Sequence, residues 1–170
     1  MKRFEMPVLN SPHGQQMNTR VPIEDRPVIL IDKEGSWFYN GLPIINRQIL
    51  QYFYKLLEIR PDGGGYLLRN GQESCSVEVQ DTPFVVTALW PSEGPYEQFF
   101  IKLNDDSVET LAMETLSISA ENIPYCMVKG RFKARFLRVP YYRLAESVQQ
   151  EGDGAFFIEL NGKRHYLSPA

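Results

Sequence analysis

Cationic side chains recur at every second position from residue 129 to residue 135: Lys129, Arg131, Lys133 and Arg135. In extended backbone, alternate residues share a face about 7 Å apart, so this spacing predicts a row of four cations on one strand. Cys126, Val128, Phe132, Ala134 and Phe136 hold the opposite parity, which predicts a single long strand over Tyr125–Leu137 with one buried face. With Arg138 and Arg143 added, residues 125–143 contain six basic groups and no acidic one. The rest of the chain holds 12 basic against 21 acidic residues, and the whole chain is at −3. A local basic ridge beside aromatic residues suits phosphate oxygens with a base stacked nearby, through charge-assisted hydrogen bonds. It is not the broad footprint of a duplex-DNA binder. The plainer alternative is a solvated outer face whose cations pair with carboxylates such as Glu146 or Asp105.

Other chemistry-bearing residues carry less. Gly63-Gly64-Gly65 precedes a hairpin strand and has neither a following helix N-terminus nor a Lys-Ser/Thr pair, so a turn is the better reading than a phosphate loop. His13 and His165 have no ligand-spaced partners, and Asp105-Asp106 reads as a turn former; no metal site and no cofactor are expected. Trp37 and Trp90 each occupy a core parity and are expected to be buried. Cys75 alternates with Val77 and Val79, and Cys126 with Val128, so both cysteines read as reduced core residues. No titratable set is spaced for acid–base or nucleophilic work, so no catalytic residue is assigned and an enzyme ranks third among the readings.

The elements that must position these residues are written in a repeat. Asp62-Gly63-Gly64-Gly65-Tyr66-Leu67-Leu68-Arg69-Asn70-Gly71 is echoed by Asp153-Gly154-Ala155-Phe156-Phe157-Ile158-Glu159-Leu160-Asn161-Gly162, an offset of 91 residues. Asn-Gly between apolar-rich runs is the strongest short signal for a two-residue hairpin. Asn70-Gly71 is expected to join strands near 65–69 and 73–79, and Asn161-Gly162 to join 155–160 and 163–167. A helix is expected before each hairpin. The first runs near 46–59, capped by Asn46, with Ile49, Leu50, Phe53, Leu56 and Leu57 on its buried face; the second opens at Pro140 and runs to about Gln149. The Asp-Gly pairs would release the chain from each helix.

Further strands are expected at 28–32, 36–39, 99–103 and 115–120, and Phe84–Trp90, apolar on both parities, is expected to be covered on both faces. Residues 1–27, with Pro7, Pro12, Pro22 and Pro27, read as an extended arm. The domains are then 28–90 and 97–170, parted at Pro91-Ser92-Glu93-Gly94-Pro95. A hydrophobic fraction of 43% supplies a core, and no run approaches a membrane span or a signal-peptide core, so no membrane association and a cytoplasmic location are expected.

Four stretches in order carry a family resemblance: Ile31-Asp32-Lys33-Glu34-Gly35-Ser36-Trp37-Phe38 with Asn40-Gly41-Leu42-Pro43-Ile44; Val77–Phe84; Asn104-Asp105-Asp106; and Pro124-Tyr125 with Val128 and Gly130-Arg131-Phe132. Together the sequence resembles the bacterial domain of unknown function 1285 family over residues 28–167. The resemblance implies an α+β fold, a duplicated helix-plus-antiparallel-sheet unit whose C-terminal half is superficially like a pleckstrin-homology domain. It implies no established activity. Lys129 and Arg131 are expected to line the concave junction of the two halves near Asp81, Phe84 and Asn104, with Arg138 contributing. The first functional reading is a non-catalytic sensor or adaptor, of the kind used in signal transduction, that binds a nucleotide-like anion between the halves. The second is a protein-interaction module that uses the sheet and the N-terminal arm and takes no small molecule.

Overall fold

The Asn-Gly pairs turn the chain close to where the sequence puts them, with one slip that reveals how the two copies differ. The computed structural model describes residues 28–152 and 154–169. The arm expected over 1–27, including His13, lies outside the described residues, as does Asp153. By contacts the described chain forms two units, the first from residues 28–30 and 37–78, the second from 31–36 and 79–169.

The first unit contains β1 (Ile29–Ile31, shared with the second unit at its end), β2 (Trp37–Tyr39), β3 (Leu42–Pro43), α1 (Arg47–Leu56), β4 (Leu57–Ile59), β5 (Tyr66–Asn70) and β6 (Glu73–Val79). These strands form one sheet in the order β3-β2-β1-β6-β5-β4. Asn46 caps α1 as expected, its Oδ1 accepting from the Gln48 and Ile49 amides at 3.0 and 3.3 Å. Phe53 and Tyr54 bring the buried face of α1 onto Trp37, with ring centroids 5.7 and 5.1 Å away. The helix stops sooner than periodicity predicts. Leu57 is extended (φ −71°, ψ 126°), because Leu57, Glu58 and Ile59 pair with Leu68, Leu67 and Tyr66 in a ladder that helix continuation would forfeit. Asp62 and the following glycines therefore turn β4 into β5 rather than ending the helix; Asp62 Oδ1 accepts from the Gly64 amide at 2.9 Å.

The second unit contains β7 (Phe84–Pro91), β8 (Phe99–Leu103), β9 (Val108–Thr110), a 3₁₀ turn (Met113–Thr115), β10 (Ser117–Ile118), β11 (Pro124–Val128), β12 (Phe132–Phe136), α2 (Arg138–Ala145), β13 (Val148–Gln150), β14 (Phe156–Leu160), β15 (Lys163–Tyr166) and β16 (Ser168–Pro169). A seven-stranded sheet runs β16-β10-β11-β12-β7-β8-β9, and β13-β14-β15 form a separate three-stranded sheet. Phe84, Val85 and Val86 are all buried, as a strand covered on both faces requires, and β7 pairs parallel with β12 and antiparallel with β8. Trp90 departs from expectation. It is 38% exposed, because the register of β7 against β8 shifts between Val86 and Ala88 and the parity read through the strand does not survive the bulge.

Both units carry the same succession: a helix, a strand entered after no more than two intervening residues, and a hairpin that pairs back on that strand. The structural offset of the hairpins is 90 residues, one fewer than the sequence match suggests. Leu67 and Leu68 are buried in one, Phe157 and Ile158 in the other. The reason lies in the preceding turn, closed by Arg60 N–H to Gly65 C=O in the first copy and by Glu151 N–H to Ala155 C=O in the second, so the first is one residue longer. As a result Asn70 pairs with Glu73 and the loop is Gly71-Gln72, with Gly71 at φ 61°; the loop between Leu160 and Lys163 is Asn161-Gly162, with φ 52° and 72°. Positive φ at both central residues marks the second as type I′, whereas glycine first fits type II′. The second helix also differs from expectation. It begins at Arg138, places Pro140 in the third position of the first turn, where a missing N–H costs nothing, and gives way to β13 over the residues expected to finish it.

Candidate functional site

The basic segment is not one strand. Pro124–Val128 and Phe132–Phe136 form an antiparallel hairpin, Cys126 opposite Ala134 and Val128 opposite Phe132, joined by Lys129-Gly130-Arg131. Lys129 and Gly130 both have positive φ, 50° and 70°, and the Arg131 amide donates back to Val128 C=O at 3.1 Å. A three-residue loop preserves parity, so Cys126, Val128, Phe132, Ala134 and Phe136 are all buried as the alternation requires. The cations are nonetheless distributed over a turn and a strand instead of one row.

Lys129 reaches from the turn into a nest of acceptors. Its Nζ lies 2.8 Å from Asp105 Oδ2, 2.8 Å from Ser107 Oγ and 3.4 Å from Glu109 Oε1, and 5.4 Å from the centroid of the Phe84 ring. Burial alone would raise the Asp105 pKa, but Lys129 and the Ser107 hydroxyl and amide together hold it below the ordinary carboxylate value. Asn104, next to this group, is a structural clasp: its Oδ1 accepts from the Val85 amide at 3.1 Å and its Nδ2 donates to Gly35 C=O at 3.2 Å. Arg131 is exposed and lies over the Phe132 ring at 5.0 Å.

Asp81 belongs to a second group. Arg135 Nη1 lies 2.9 Å from Asp81 Oδ2, and the Tyr125 hydroxyl donates to the same oxygen at 2.9 Å. Burial, and then the adjacent Asp81 carboxylate, push the Tyr125 pKa above its ordinary value. Thr82, buried in the turn before β7, donates to Phe84 C=O and accepts from the Arg135 amide, which fixes where the strand carrying Arg135 begins to pair. Lys133 sits 4.1 Å from the Tyr125 ring centroid. The six candidates thus fall into separate places in the second unit: Lys129 with Phe84 beside Asn104, Asp81 with Arg135, Arg131 on the turn, and Arg138 at the start of α2.

Arg138 opens the third group, a cleft of about 420 Å³ whose lining includes Lys33, Glu34, Thr87, Arg135 and Arg138 above Phe136 and Pro140. Leu137 occupies the N-cap position of α2 and offers no side-chain acceptor, so no side chain caps the helix there. Pro140 has no amide hydrogen, which leaves the Arg138 and Val139 N–H groups as the first donors of the helix. The Leu137 amide is spent on Val86 C=O at 3.1 Å, and that bond sets the direction in which the chain enters α2. Arg138 Nε donates to the Tyr142 hydroxyl at 3.3 Å and its guanidinium lies over the same ring. Lys33 lies 4.0 Å from the well-exposed Glu34 carboxylate, its salt-bridge partner among the described residues. The sequence assigns Arg138 to a site and Arg135 only to the row of alternating cations, and it assigns neither Lys33 nor Thr87, because Lys33 stands in a turn whose neighbours in space are far along the chain.

No helix among the described residues is long and apolar enough to cross a membrane, and no group of three or more His, Cys, Asp or Glu side chains there could hold a metal ion. Cys75 and Cys126 are free thiols; Cys126 is buried and Cys75 half-buried. The folded chain is a mixed α+β protein built from two units that share one succession of elements. It is similar to two solved structures. One is a DUF1285 family protein from Silicibacter pomeroyi DSS-3, with a TM-score of 0.68 and 22% identity over 82% of this chain and 79% of that one. The other is a DUF1285 family protein from Shewanella baltica OS155, with a TM-score of 0.59 and 16% identity over 71% of this chain and 91% of that one. Both are of the domain of unknown function 1285 family that the four sequence stretches resemble, and the likeness is one of fold. No family model and no curated protein matches the sequence.

Proposed function

We propose that the protein is a non-catalytic sensor or adaptor that binds a phosphate-bearing, nucleotide-like anion, and that the anion sits in the cleft at the start of α2. The observation that supports this reading is the lining: Lys33 and Arg138 stand with Arg135, whose charge is shared with Asp81 at 2.9 Å, against the carboxylate of Glu34, which leaves the cleft with an excess of positive charge. A guanidinium offers paired N–H donors matched to phosphate oxygens, and the exposed amides of a helix's first turn add both donors and the positive end of its dipole. Phe136 and Pro140 give the cleft an apolar wall for the non-phosphate part of the ligand. A volume of about 420 Å³ is within the range of small-molecule sites, roughly 300–1,000 Å³.

The test is thermal unfolding of the full chain with pyrophosphate, ADP and sulfate, compared with Arg138→Ala and Lys33→Ala. A ligand at 100 times its dissociation constant adds about 2.7 kcal/mol to the unfolding free energy. The reading expects pyrophosphate and ADP to raise the melting temperature and each substitution to weaken the response at least tenfold in concentration. Absence of any shift with all three anions sinks it. One observation favours a protein-interaction module instead: Val139 and Tyr142, three positions apart on α2, are 70% and 54% exposed and stand on one helix face. That reading expects Val139→Asp to abolish partner binding while leaving anion titrations flat.

A further inference from the structure

We infer that the second unit has a second, separate ligand site, for an uncharged and predominantly apolar small molecule. A cleft of about 850 Å³ is walled by α2, by β13 and β14, and by the β10 and β16 edge. Ile118, Tyr141, Leu144, Val148, Phe156 and Leu167 supply its apolar surface. The polar lining consists of serine hydroxyls and the amides of Asn122, Gln149 and Gln150; among the described residues no Asp, Glu, Lys, Arg or His lines it. None of these residues is shared with the cationic cleft.

The charge balance selects the class of ligand. A formal charge taken into this cleft would give up part of its hydration with no countercharge among the described lining residues to meet it, whereas a neutral molecule would lose little. Carbonyl or hydroxyl groups on the ligand would find partners in the side-chain amides. The cleft also has apolar surface in need of cover. Phe156 is 49% exposed although Phe157 and Ile158, next to it on β14, are 4% and 0% exposed. Tyr141 presents a second ring to the same space, so a flat, aromatic-sized molecule matches what the walls offer. The volume again lies within the span of small-molecule sites.

Three probes that share the naphthalene ring and differ in charge test this on the full chain: 2-naphthol, 2-naphthoate and 2-naphthylmethylammonium, titrated while backbone amide shifts are recorded. Saturable shifts with 2-naphthol, confined to residues 118–122, 141–150, 156 and 167–168, are expected, with both charged probes at least tenfold weaker. Ala145 and Gln149 are exposed positions at the cleft, so Ala145→Trp and Gln149→Trp fill it from two directions without touching the core. Each is expected to weaken 2-naphthol at least tenfold and to leave the pyrophosphate response unchanged. The inference is overturned if 2-naphthol gives no saturable shift, if all three probes bind alike, or if both tryptophan variants bind it as well as the parent. It is equally overturned if the same amides shift with protein concentration alone, which would make the occupant a second copy of the chain.

Discussion

Replacing Lys129 by Met keeps most of the length of the side chain, unbranched, but removes the ammonium from its acceptors. Lys129 lies 2.8 Å from both Asp105 Oδ2 and Ser107 Oγ, and its side chain is 29% exposed against 12% for Asp105. A solvated ion pair is worth about 0–1 kcal/mol, and stranding one partner of a fully buried pair costs about 3–5 kcal/mol. This pair lies between those limits, with hydrogen bonds to charged groups contributing about 1.5–3 kcal/mol. A loss of about 2 kcal/mol at pH 7, read by urea unfolding, is therefore expected. The pH dependence identifies the cause. The Asp105 pKa is lowered in the fold from its ordinary 3.8, so its contribution is fully present above that value and disappears as pH falls through the lower folded one. The difference between Lys129→Met and the parent should shrink over that window, and Asp105→Asn should remove most of it at pH 7. A loss under about 0.5 kcal/mol, or one that does not change between pH 7 and pH 3, would refute the reasoning.

Three substitutions and a thiol titration also probe the fold. At Gly35, with φ 81°, an added Cβ would stand 2.5 Å from Asn104 Nδ2 and 2.7 Å from Val85 Cγ2, so Gly35→Ala should cost more than about 1 kcal/mol by urea unfolding. Gly71→Ala should lower the melting temperature by several degrees and Asn70→Ala by much less, since it is Gly71 that holds positive φ in the first hairpin; equal effects would mean the loop is Asn70-Gly71 after all. Burial pushes the Cys126 thiol up to about 12 and raises Cys75 as well, so a chromogenic disulfide at pH 8 should label Cys75 slowly and Cys126 only on unfolding.

Local chemistry made much of this fold legible in the sequence. Asn46 as a cap, the Asn161-Gly162 turn, and the buried parity of Cys126, Val128, Phe132, Ala134 and Phe136 each depend on neighbours a few residues away, where propensity and alternation act. The hairpin at Lys129-Gly130-Arg131 escaped because a three-residue loop leaves alternation intact and a lysine at positive φ is not a turn signal. The extra residue in the turn from Arg60 to Gly65 escaped because a run of glycines aligns equally well with or without it. The bulge between Val86 and Ala88 breaks the parity that would bury Trp90. Of the candidate site, Arg138 and Arg135 could be named from the charge run, but their association with Lys33 could not. That proximity depends on the contact between Asn104 and Gly35 and on the parallel pairing of β7 with β12, both tertiary events between distant segments.

The most direct measurement of the central claim is a pyrophosphate titration of the full chain followed by amide shifts, read at Arg138 and Val139. Their N–H groups are the first donors of α2 and would bond the anion themselves. The account predicts saturable downfield shifts at these two amides, lost in Lys33→Ala with Arg138→Ala. Shifts that saturate elsewhere, or none at either amide, would contradict it.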